Sequence, residues 1–192
     1  MRFVRKRPML AAFLIPFFIE IIICIGNSIY PFGNNCLLHM DLYHQYCPFF
    51  SELHDKIING GSLQYSWNLG LGSDFVSLYA YYLASPLNWL VAIFPKTHII
   101  EFIELLILLK IAASGATFFY FLKEHFGLIG KDGKYHGDTL MVSFVFSTAY
   151  ALSGFVAAYS WDVMWMDVIA LAPLVIAGLD RLVREKKPGL YY

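Results

Sequence analysis

The chain has 192 residues, of which 58% are hydrophobic and only 15% are charged. An average soluble domain is roughly 45–50% apolar and about 25% charged, so this composition is typical of a membrane protein. Lysine and arginine together number 14, as do aspartate and glutamate. Because this balance lacks the basic excess that binds phosphate backbones, it argues against a nucleic-acid partner. Aromatic residues make up 18% of the chain, which suits a protein at lipid–water boundaries.

Four apolar segments predict an α-helical integral membrane protein. The first contains a single charge, Glu20, and as a helix it would extend about 31 Å, which matches the hydrocarbon core of a bilayer. A basic N-terminus precedes it but no small-residue cleavage site follows, so it is expected to remain as an anchor. The fourth is short, and Pro173 is expected to break it. The predicted spans are residues 9–29, 99–122, 139–159 and 168–182 of a single membrane domain, 1–192.

The basic residues predict the orientation of these spans, since lysine and arginine near span ends favour the cytoplasm. With the N-terminus inside, only Lys56 and Lys96 lie outside, and Lys110 lies within a span. Residues 75–95 are uncharged and long enough to cross, but a span there would turn the later basic residues outward. We therefore predict a re-entrant or interfacial hairpin that proline breaks near residues 85–86. The basic residues predicted to be cytoplasmic are Arg2, Arg5, Lys6, Arg7, Lys123, Lys131, Lys134, Arg181, Arg184, Lys186 and Lys187.

Residues 30–98 then form one external loop, far longer than a connection between two spans requires. From Pro48 onward, apolar residues recur at helical spacing until Gly60 and Gly61, which predicts an amphipathic helix. This helix lies either on the membrane surface or against the rest of the loop. The polar positions between its apolar residues are Glu52, Asp55, Lys56 and Asn59. The later G-x-G at residues 70–72 lacks a preceding strand and a third glycine, so it is interpreted as a tight turn.

Three cysteines are too few for a disulfide framework. Cys24 lies in an apolar run, whereas Cys36 and Cys47 share the external loop and could form a disulfide there. The sequence leaves open whether they pair.

Asp41 is the first candidate for chemistry. It follows the first predicted span closely and has Tyr43, His44 and Tyr46 as neighbours. Its carboxylate could accept a proton or bind a divalent cation. The competing interpretation is a solvated turn residue that caps a helix.

A second acidic cluster, with Asp162 and Asp167, follows the third predicted span. These acids could share a metal ion with Asp41, or one of them could cap the fourth helix. Charges inside the spans are candidates for internal pairs or a polar pathway; they are Glu20, Glu101, Glu104 and Lys110. The external aromatic residues Tyr79, Tyr81, Tyr82 and Trp89 could stack on sugar rings or form an interfacial belt.

Several blocks of residues act together as a signature: 41–46 with 48–50, then 65–72, 79–86 and 165–167, together with Lys110 and Pro173. In combination they resemble the bacterial YfhO membrane protein family, over nearly the whole chain. That family looks like part of the C-type glycosyltransferase superfamily, whose members use polyprenyl-phosphate sugars outside the cytoplasmic membrane. The resemblance implies the N-terminal part of that fold, in the bacterial cytoplasmic membrane with the N-terminus inside.

The resemblance also implies a function. A sugar would pass from a polyprenyl-phosphate donor to a cell-wall polymer such as lipoteichoic acid, with Asp41 as the catalytic acid–base residue. Asp162 or Asp167 would support an Mg²⁺ or Mn²⁺ ion or the acceptor. Family members usually carry many more spans, so this chain is expected to be a fragment of a longer protein. The residues predicted to bind substrate are His44, Gln45, Tyr46, Trp67 and Tyr82.

Two other functions stay open on the sequence. Glu20, Lys110 and the re-entrant segment also suit a transporter or flippase component. A non-catalytic subunit of a membrane assembly is the third interpretation.

The predicted orientation is testable by cysteine labelling in a cysteine-free background. Ser62→Cys should react with a membrane-impermeant maleimide on intact cells, because residues 30–98 are expected outside. Lys123→Cys, as the control, should react only after the membrane is permeabilised. The reverse pattern would contradict the predicted layout.

Overall fold

The computed structural model describes residues 4, 6–129, 135, 137–186 and 189. Arg2, Arg5, Lys131, Lys134 and Lys187, which were predicted to be cytoplasmic, lie outside the described residues. The protein is predominantly helical, which confirms the predicted fold class. Its regular elements are α1 (Pro8–Gly26), α2 (Cys47–Asn59), β1 (Tyr65–Ser66), β2 (Ser73–Asp74), α3 (Phe75–Leu78), α4 (Ile99–Phe126), α5 (Gly137–Ala151), α6 (Gly154–Tyr159) and α7 (Val163–Glu185). Two π-helical turns, Leu42–Tyr46 and Tyr79–Leu83, and two 3₁₀ helices, Pro86–Ile93 and Lys96–His98, complete the set.

Within the described residues, four helical stretches are long and apolar enough to cross a membrane, as predicted. They are Pro8–Gly26, Lys96–Phe126, Asp138–Tyr159 and Val163–Glu185. The chain divides into two compact units. The span unit comprises Met1–Ile23, Leu108–Ala158 and Met166–Tyr192. The loop unit comprises Cys24–Ile107 and Tyr159–Trp165.

The fourth span is longer than residues 168–182, and the prediction that Pro173 breaks it is wrong. α7 is continuous from Val163 to Glu185 with Pro173 inside it. Proline has no N–H to donate to the carbonyl four residues earlier, which belongs to Ile169. The Tyr150 hydroxyl donates instead, at 2.9 Å from the Ile169 carbonyl oxygen. A side chain of α5 thus satisfies the carbonyl that proline leaves free, and the helix continues.

Close packing in the span unit depends on Gly115 of α4. A Cβ atom added there would lie 2.9 Å from the Ala12 carbonyl oxygen and 3.0 Å from Cγ of Pro16. The absence of a side chain at Gly115 therefore lets α4 approach α1. A buried cluster of this unit contains Ala11, Ala12, Phe119, Leu140 and Phe144.

In the loop unit, α2 is the amphipathic helix expected from the sequence. It ends before Gly60, whose φ of 69° lies in the left-handed region that glycine adopts readily. Phe50 and Leu53 are fully buried, and the ring of Phe50 lies 5.5 Å from that of Phe102. The apolar face of α2 therefore packs within the loop unit, in agreement with the second of the two arrangements considered. Cys36 and Cys47 are not joined by a disulfide in the described structure, and the Cys36 thiol donates to the Leu38 carbonyl oxygen at 3.8 Å.

Glu52 departs from the expected polar face of α2, because it is buried. Its carboxylate accepts hydrogen bonds from the Ser66 hydroxyl at 2.6 Å and the Asn68 amide at 2.9 Å, and Lys56 lies 3.3 Å away. Burial favours the neutral acid, but these partners outweigh it and hold the pKa of Glu52 below its usual value. The network ties α2 to the hairpin that follows.

The hairpin and the segment after it confirm two local predictions. β1 and β2 pair antiparallel, so the expectation that no strand precedes the G-x-G is wrong. The tight turn itself is confirmed, because the Gly72 N–H donates to the Leu69 carbonyl at 2.9 Å and the two residues between them, Gly70 and Leu71, have φ of 56° and 65°. The segment that follows bends by 106° between residues 75–83 and 86–93, at the predicted proline break. Its entry into the outer leaflet stays a prediction.

The role of Tyr150 can be tested with a double-mutant cycle. Tyr150→Phe should lower the free energy of unfolding in detergent by about 1 kcal/mol, because the Ile169 carbonyl loses its donor. The ring of residue 150 stacks on that of Phe118, with 4.4 Å between the centroids, and the substituted phenylalanine keeps this contact. In a Pro173→Ala background, where a backbone N–H replaces the hydroxyl, Tyr150→Phe should cost almost nothing. Equal costs in the two backgrounds would contradict the explanation.

Candidate functional site

Two π-helical turns of the loop unit position its polar and aromatic side chains. Such turns are rare and occur often at functional sites. The first, Leu42–Tyr46, directly follows Asp41 and leads without interruption into α2. The second, Tyr79–Leu83, continues α3. Burial of Tyr46 in the first turn and Leu83 in the second anchors both turns in the loop unit.

Both turns and the start of α7 line one pocket, with a volume of about 180 Å³. We refer to it as the acidic pocket, because two carboxylates belong to its lining. Of the residues predicted to form the site, it brings together Asp41, Gln45, Tyr46, Tyr82 and Asp162. The remaining lining residues are Tyr81, Trp161, Met164 and Trp165.

A buried hydrogen bond holds two sides of the acidic pocket together. The hydroxyl of Tyr46, which is 1% exposed, donates to the carboxylate of Asp162, which is 6% exposed. Burial and then the Asp162 carboxylate raise the pKa of Tyr46 above its usual value, although the Met164 backbone N–H that reaches the same oxygen opposes the shift. The hydroxyl therefore stays protonated at neutral pH and remains a donor.

Asp41 differs from an ordinary helix-capping aspartate. It occupies the cap position before the first π turn and is half-buried, but its side chain makes no capping hydrogen bond. Asp74, by contrast, caps α3 by accepting from the Val76 N–H at 3.0 Å, and it also accepts from the Ser77 hydroxyl. The capping interpretation of Asp41 therefore finds no support, and its carboxylate remains available at the pocket.

Aromatic rings form another wall of the acidic pocket. The ring centroid of Tyr82 lies 5.5 Å from that of Tyr46, 5.0 Å from Phe49 and 4.7 Å from Tyr81. Rings at these distances support one another through edge and tilted contacts. The wall therefore presents a firm apolar surface with phenolic hydroxyls, which suits the faces and hydroxyls of a sugar ring.

His44 and Trp67 are not among the residues that line this pocket in the described part of the chain. His44 is exposed and contacts the ring of Tyr43 edge-on at 5.4 Å. Trp67 lies on the hairpin, 77% exposed, with its ring 5.0 Å from that of Tyr65. Their role in substrate binding stays a prediction.

Asp167 belongs to the span unit, where it forms an ion pair with Lys110. The two side chains are 2.7 Å apart, and the Lys110 side chain is only 1% exposed. A charge inside a spanning helix is costly unless it is paired, so Lys110 requires such a partner. From the sequence, Glu20 is the expected partner of Lys110 within the spans, whereas the structure pairs Lys110 with Asp167.

The described residues include no group of three or more His, Cys, Asp and Glu side chains arranged to hold a metal ion. Mg²⁺ is often bound by one or two carboxylates together with substrate phosphates. Asp41 and Asp162 are the carboxylates of the acidic pocket that suit this arrangement, although Asp162 already accepts the Tyr46 hydroxyl. A metal ion held by Asp41, Asp162 and Asp167 stays a prediction.

Sequence reasoning missed Trp161, Met164 and Trp165 as lining residues of the pocket. It selected this stretch for its acids alone, although the tryptophans beside Asp162 were a usable signal. That these three residues line a pocket follows only from the tertiary structure, which places the start of α7 beside the first π turn.

Comparison with known proteins identifies a family. The family model described as "Bacterial membrane protein YfhO" matches residues 11–192. The match includes every residue of the acidic pocket and all four candidate spans except the first residues of α1. No curated protein and no solved structure gives a significant match.

Asp167→Asn should destabilise the protein, because it leaves the buried Lys110 ammonium without its carboxylate. Breaking a buried pair costs roughly 3–5 kcal/mol, to be measured as the free energy of unfolding in detergent. Asp180→Asn, whose partners Arg184 and His125 are both partly exposed, is the control on α7 and should cost about 1 kcal/mol or less. The double variant Lys110→Met, Asp167→Leu should recover most of the lost stability. Recovery of Asp167→Asn by Mg²⁺ or Mn²⁺ would instead indicate a metal ligand.

Proposed function

The chain belongs to the family of bacterial membrane proteins described as YfhO, and on that premise we propose that it acts as a membrane glycosyltransferase. The donor is a polyprenyl-phosphate sugar. The acceptor is a hydroxyl group of a cell-wall polymer such as lipoteichoic acid, on the outer face of the bacterial cytoplasmic membrane. One observation supports the proposal above all. The Asp41 carboxylate makes no helix-capping hydrogen bond and lies beside an aromatic wall in the acidic pocket.

In the proposed reaction, the acceptor oxygen attacks the anomeric carbon of the donor sugar. The bond between that carbon and the phosphate oxygen breaks, and polyprenyl phosphate leaves with the bonding electron pair. The acceptor proton passes to the Asp41 carboxylate, which acts as a general base. Because the leaving phosphate is stable as an anion, the step requires no protein acid. Attack opposite the leaving group inverts the configuration at the anomeric carbon.

The other lining residues have supporting roles in this proposal. Tyr82, braced by three neighbouring rings, stacks on the sugar. Gln45 offers an amide for hydrogen bonds to sugar hydroxyls. The Tyr46–Asp162 bond is a positioning contact, since it holds the turn that follows Asp41 against the start of α7. His44 and Trp67 contact the acceptor polymer outside the pocket.

A divalent cation would supply charge to neutralise the donor phosphate. Asp41 and Asp162 are the residues that would hold it, but the steps above assign it no part. Addition and removal of Mg²⁺ or Mn²⁺ in a transfer assay tests this point directly.

A transporter or flippase component is the second candidate function. The buried Lys110–Asp167 pair favours it, because paired charges inside spans often mark an ion or substrate pathway. The two candidates differ in the residue they depend on: transfer chemistry requires Asp41, whereas transport would depend on the pair in the span unit.

Asp41→Asn should reduce transfer by roughly 10²–10⁴-fold, because asparagine retains size and hydrogen bonding but cannot accept the proton. The measurement is sugar incorporation into cell-wall polymer, in cells that carry the full-length gene. The amount of protein in the membrane should hardly change, since Asp41 makes no capping hydrogen bond.

Asp55→Asn is the matched control, because Asp55 lies in the same unit outside the pocket, paired with the exposed Lys96. It should leave incorporation close to normal. Near-normal incorporation with well-expressed Asp41→Asn would contradict the catalytic assignment and favour the transporter.

A further inference from the structure

A second pocket of the loop unit is lined by apolar surface. Its volume is about 180 Å³. Leu53 and Phe75 are fully buried and form its floor, whereas Leu63, Val76 and Trp89 are roughly half exposed and form its rim. Tyr79 completes the lining. We refer to it as the apolar pocket.

The two side chains of this lining that carry polar atoms satisfy each other. Nε1 of Trp89 donates a hydrogen bond to the Tyr79 hydroxyl at 2.8 Å, and their ring centroids are 6.1 Å apart. This bond joins the second π turn to the 3₁₀ helix across the 106° bend. It leaves apolar surface for a ligand, and apolar cavities stay dry and take up hydrocarbon.

The apolar and acidic pockets share the π turn Tyr79–Leu83. Tyr79 lines the apolar pocket, whereas Tyr81 and Tyr82 line the acidic pocket. Tyr79 and Tyr82 are three residues apart in the same five-residue turn, so the two pockets adjoin one short element. A ligand that occupies both pockets therefore needs a hydrocarbon part directly joined to a polar head.

The bent segment extends this apolar surface beyond the pocket. Leu87, Leu90 and Ile93 of the 3₁₀ helix are exposed, the last of them by 76%, and residues 75–93 carry no charge. An exposed apolar surface of this kind is typical of lipid contact in a membrane protein. The 3₁₀ helix that contributes Trp89 to the apolar pocket therefore also presents apolar side chains that suit contact with hydrocarbon.

We propose that the apolar pocket holds the isoprenoid chain of the donor next to its phosphate, while the phosphate and sugar occupy the acidic pocket. This inference rests on the proposed function, from which it takes the donor. Sites for whole ligands measure roughly 300–1,000 Å³, so a pocket of about 180 Å³ holds only the first segment of the chain. The π turn between the pockets then sets the position of the anomeric carbon relative to Asp41.

Photo-crosslinking tests this assignment without requiring transfer. The full-length protein is reconstituted in phosphatidylglycerol vesicles with one of two probes at equal mole fraction. One probe is a polyprenyl phosphate with a diazirine in its first isoprenoid units, and the other is phosphatidylglycerol with a diazirine in an acyl chain. Peptides are then mapped by mass spectrometry. The polyprenyl probe should label peptides that contain Val76 and Trp89 more strongly than the phosphatidylglycerol probe does.

Val76→Trp should fill the pocket from its exposed rim and reduce this labelling at least about tenfold, which corresponds to lost burial of two or more methylene groups. Ile93→Trp makes the same kind of change at an exposed position outside the pocket, and labelling should persist. Trp89→Phe, which breaks the bond to Tyr79 but stays apolar, should retain labelling. Unchanged labelling in Val76→Trp, or equal labelling by both probes, would overturn the inference.

Asp41→Asn separates this inference from the proposed function. It should be labelled at least as strongly as the wild-type protein, because Asp41 does not line the apolar pocket and its replacement removes a negative charge from the pocket that holds the phosphate. Labelling with retained transfer in Asp41→Asn would refute the catalytic role alone. If Asp41→Asn loses transfer but Val76→Trp leaves the labelling unchanged, the chain-binding site alone is refuted.

Discussion

The hydrogen bond from the Tyr46 hydroxyl to the Asp162 carboxylate joins residues that are 116 positions apart. It is buried and involves an ionisable acceptor, so removing one partner would leave the other desolvated at a cost of roughly 1–3 kcal/mol or more. The first π turn, and Asp41 before it, take their place beside the start of α7 through this bond. The acidic pocket exists because these two stretches meet, and the aromatic wall of Tyr82 then closes another side of it.

Two buried charged groups, Glu52 and Lys110, have specific partners that link one element of the fold to another. Glu52 of α2 is buried, and the hydrogen bonds that it accepts from Ser66 and Asn68 hold the hairpin against this helix. Lys110 is buried in α4, and its pair with Asp167 links α4 to α7 within the span unit. Asp41 stands apart from both, because its side chain caps no helix while it lines a pocket. The proposed function therefore assigns the proton transfer to Asp41.

The loop unit combines polar and apolar recognition around one short π turn. Tyr81 and Tyr82 face a pocket with two carboxylates, and Tyr79 faces a pocket with apolar lining. An amphiphile would use both surfaces, which is consistent with the lipid-linked donor of the proposed function. The proline break contributes to this arrangement. The bend at residues 85–86 turns the chain back on itself, so that Trp89 of the 3₁₀ helix can donate a hydrogen bond to the Tyr79 hydroxyl.

The sequence by itself determined the four spans, the amphipathic helix that ends before Gly60 and the break before Pro86. These features depend on length, periodicity and turn chemistry, which are local properties. Tertiary structure alone decided that α7 continues through Pro173, that Glu52 is buried, and that Asp162 rather than Asp167 lies with Asp41 in the acidic pocket. Each of these outcomes depends on a partner brought from elsewhere in the chain: Tyr150 for the Ile169 carbonyl, Ser66 for Glu52, and Tyr46 for Asp162. A polar group in an apolar chain takes whichever partner folding brings within hydrogen-bond distance, and sequence spacing does not encode that distance.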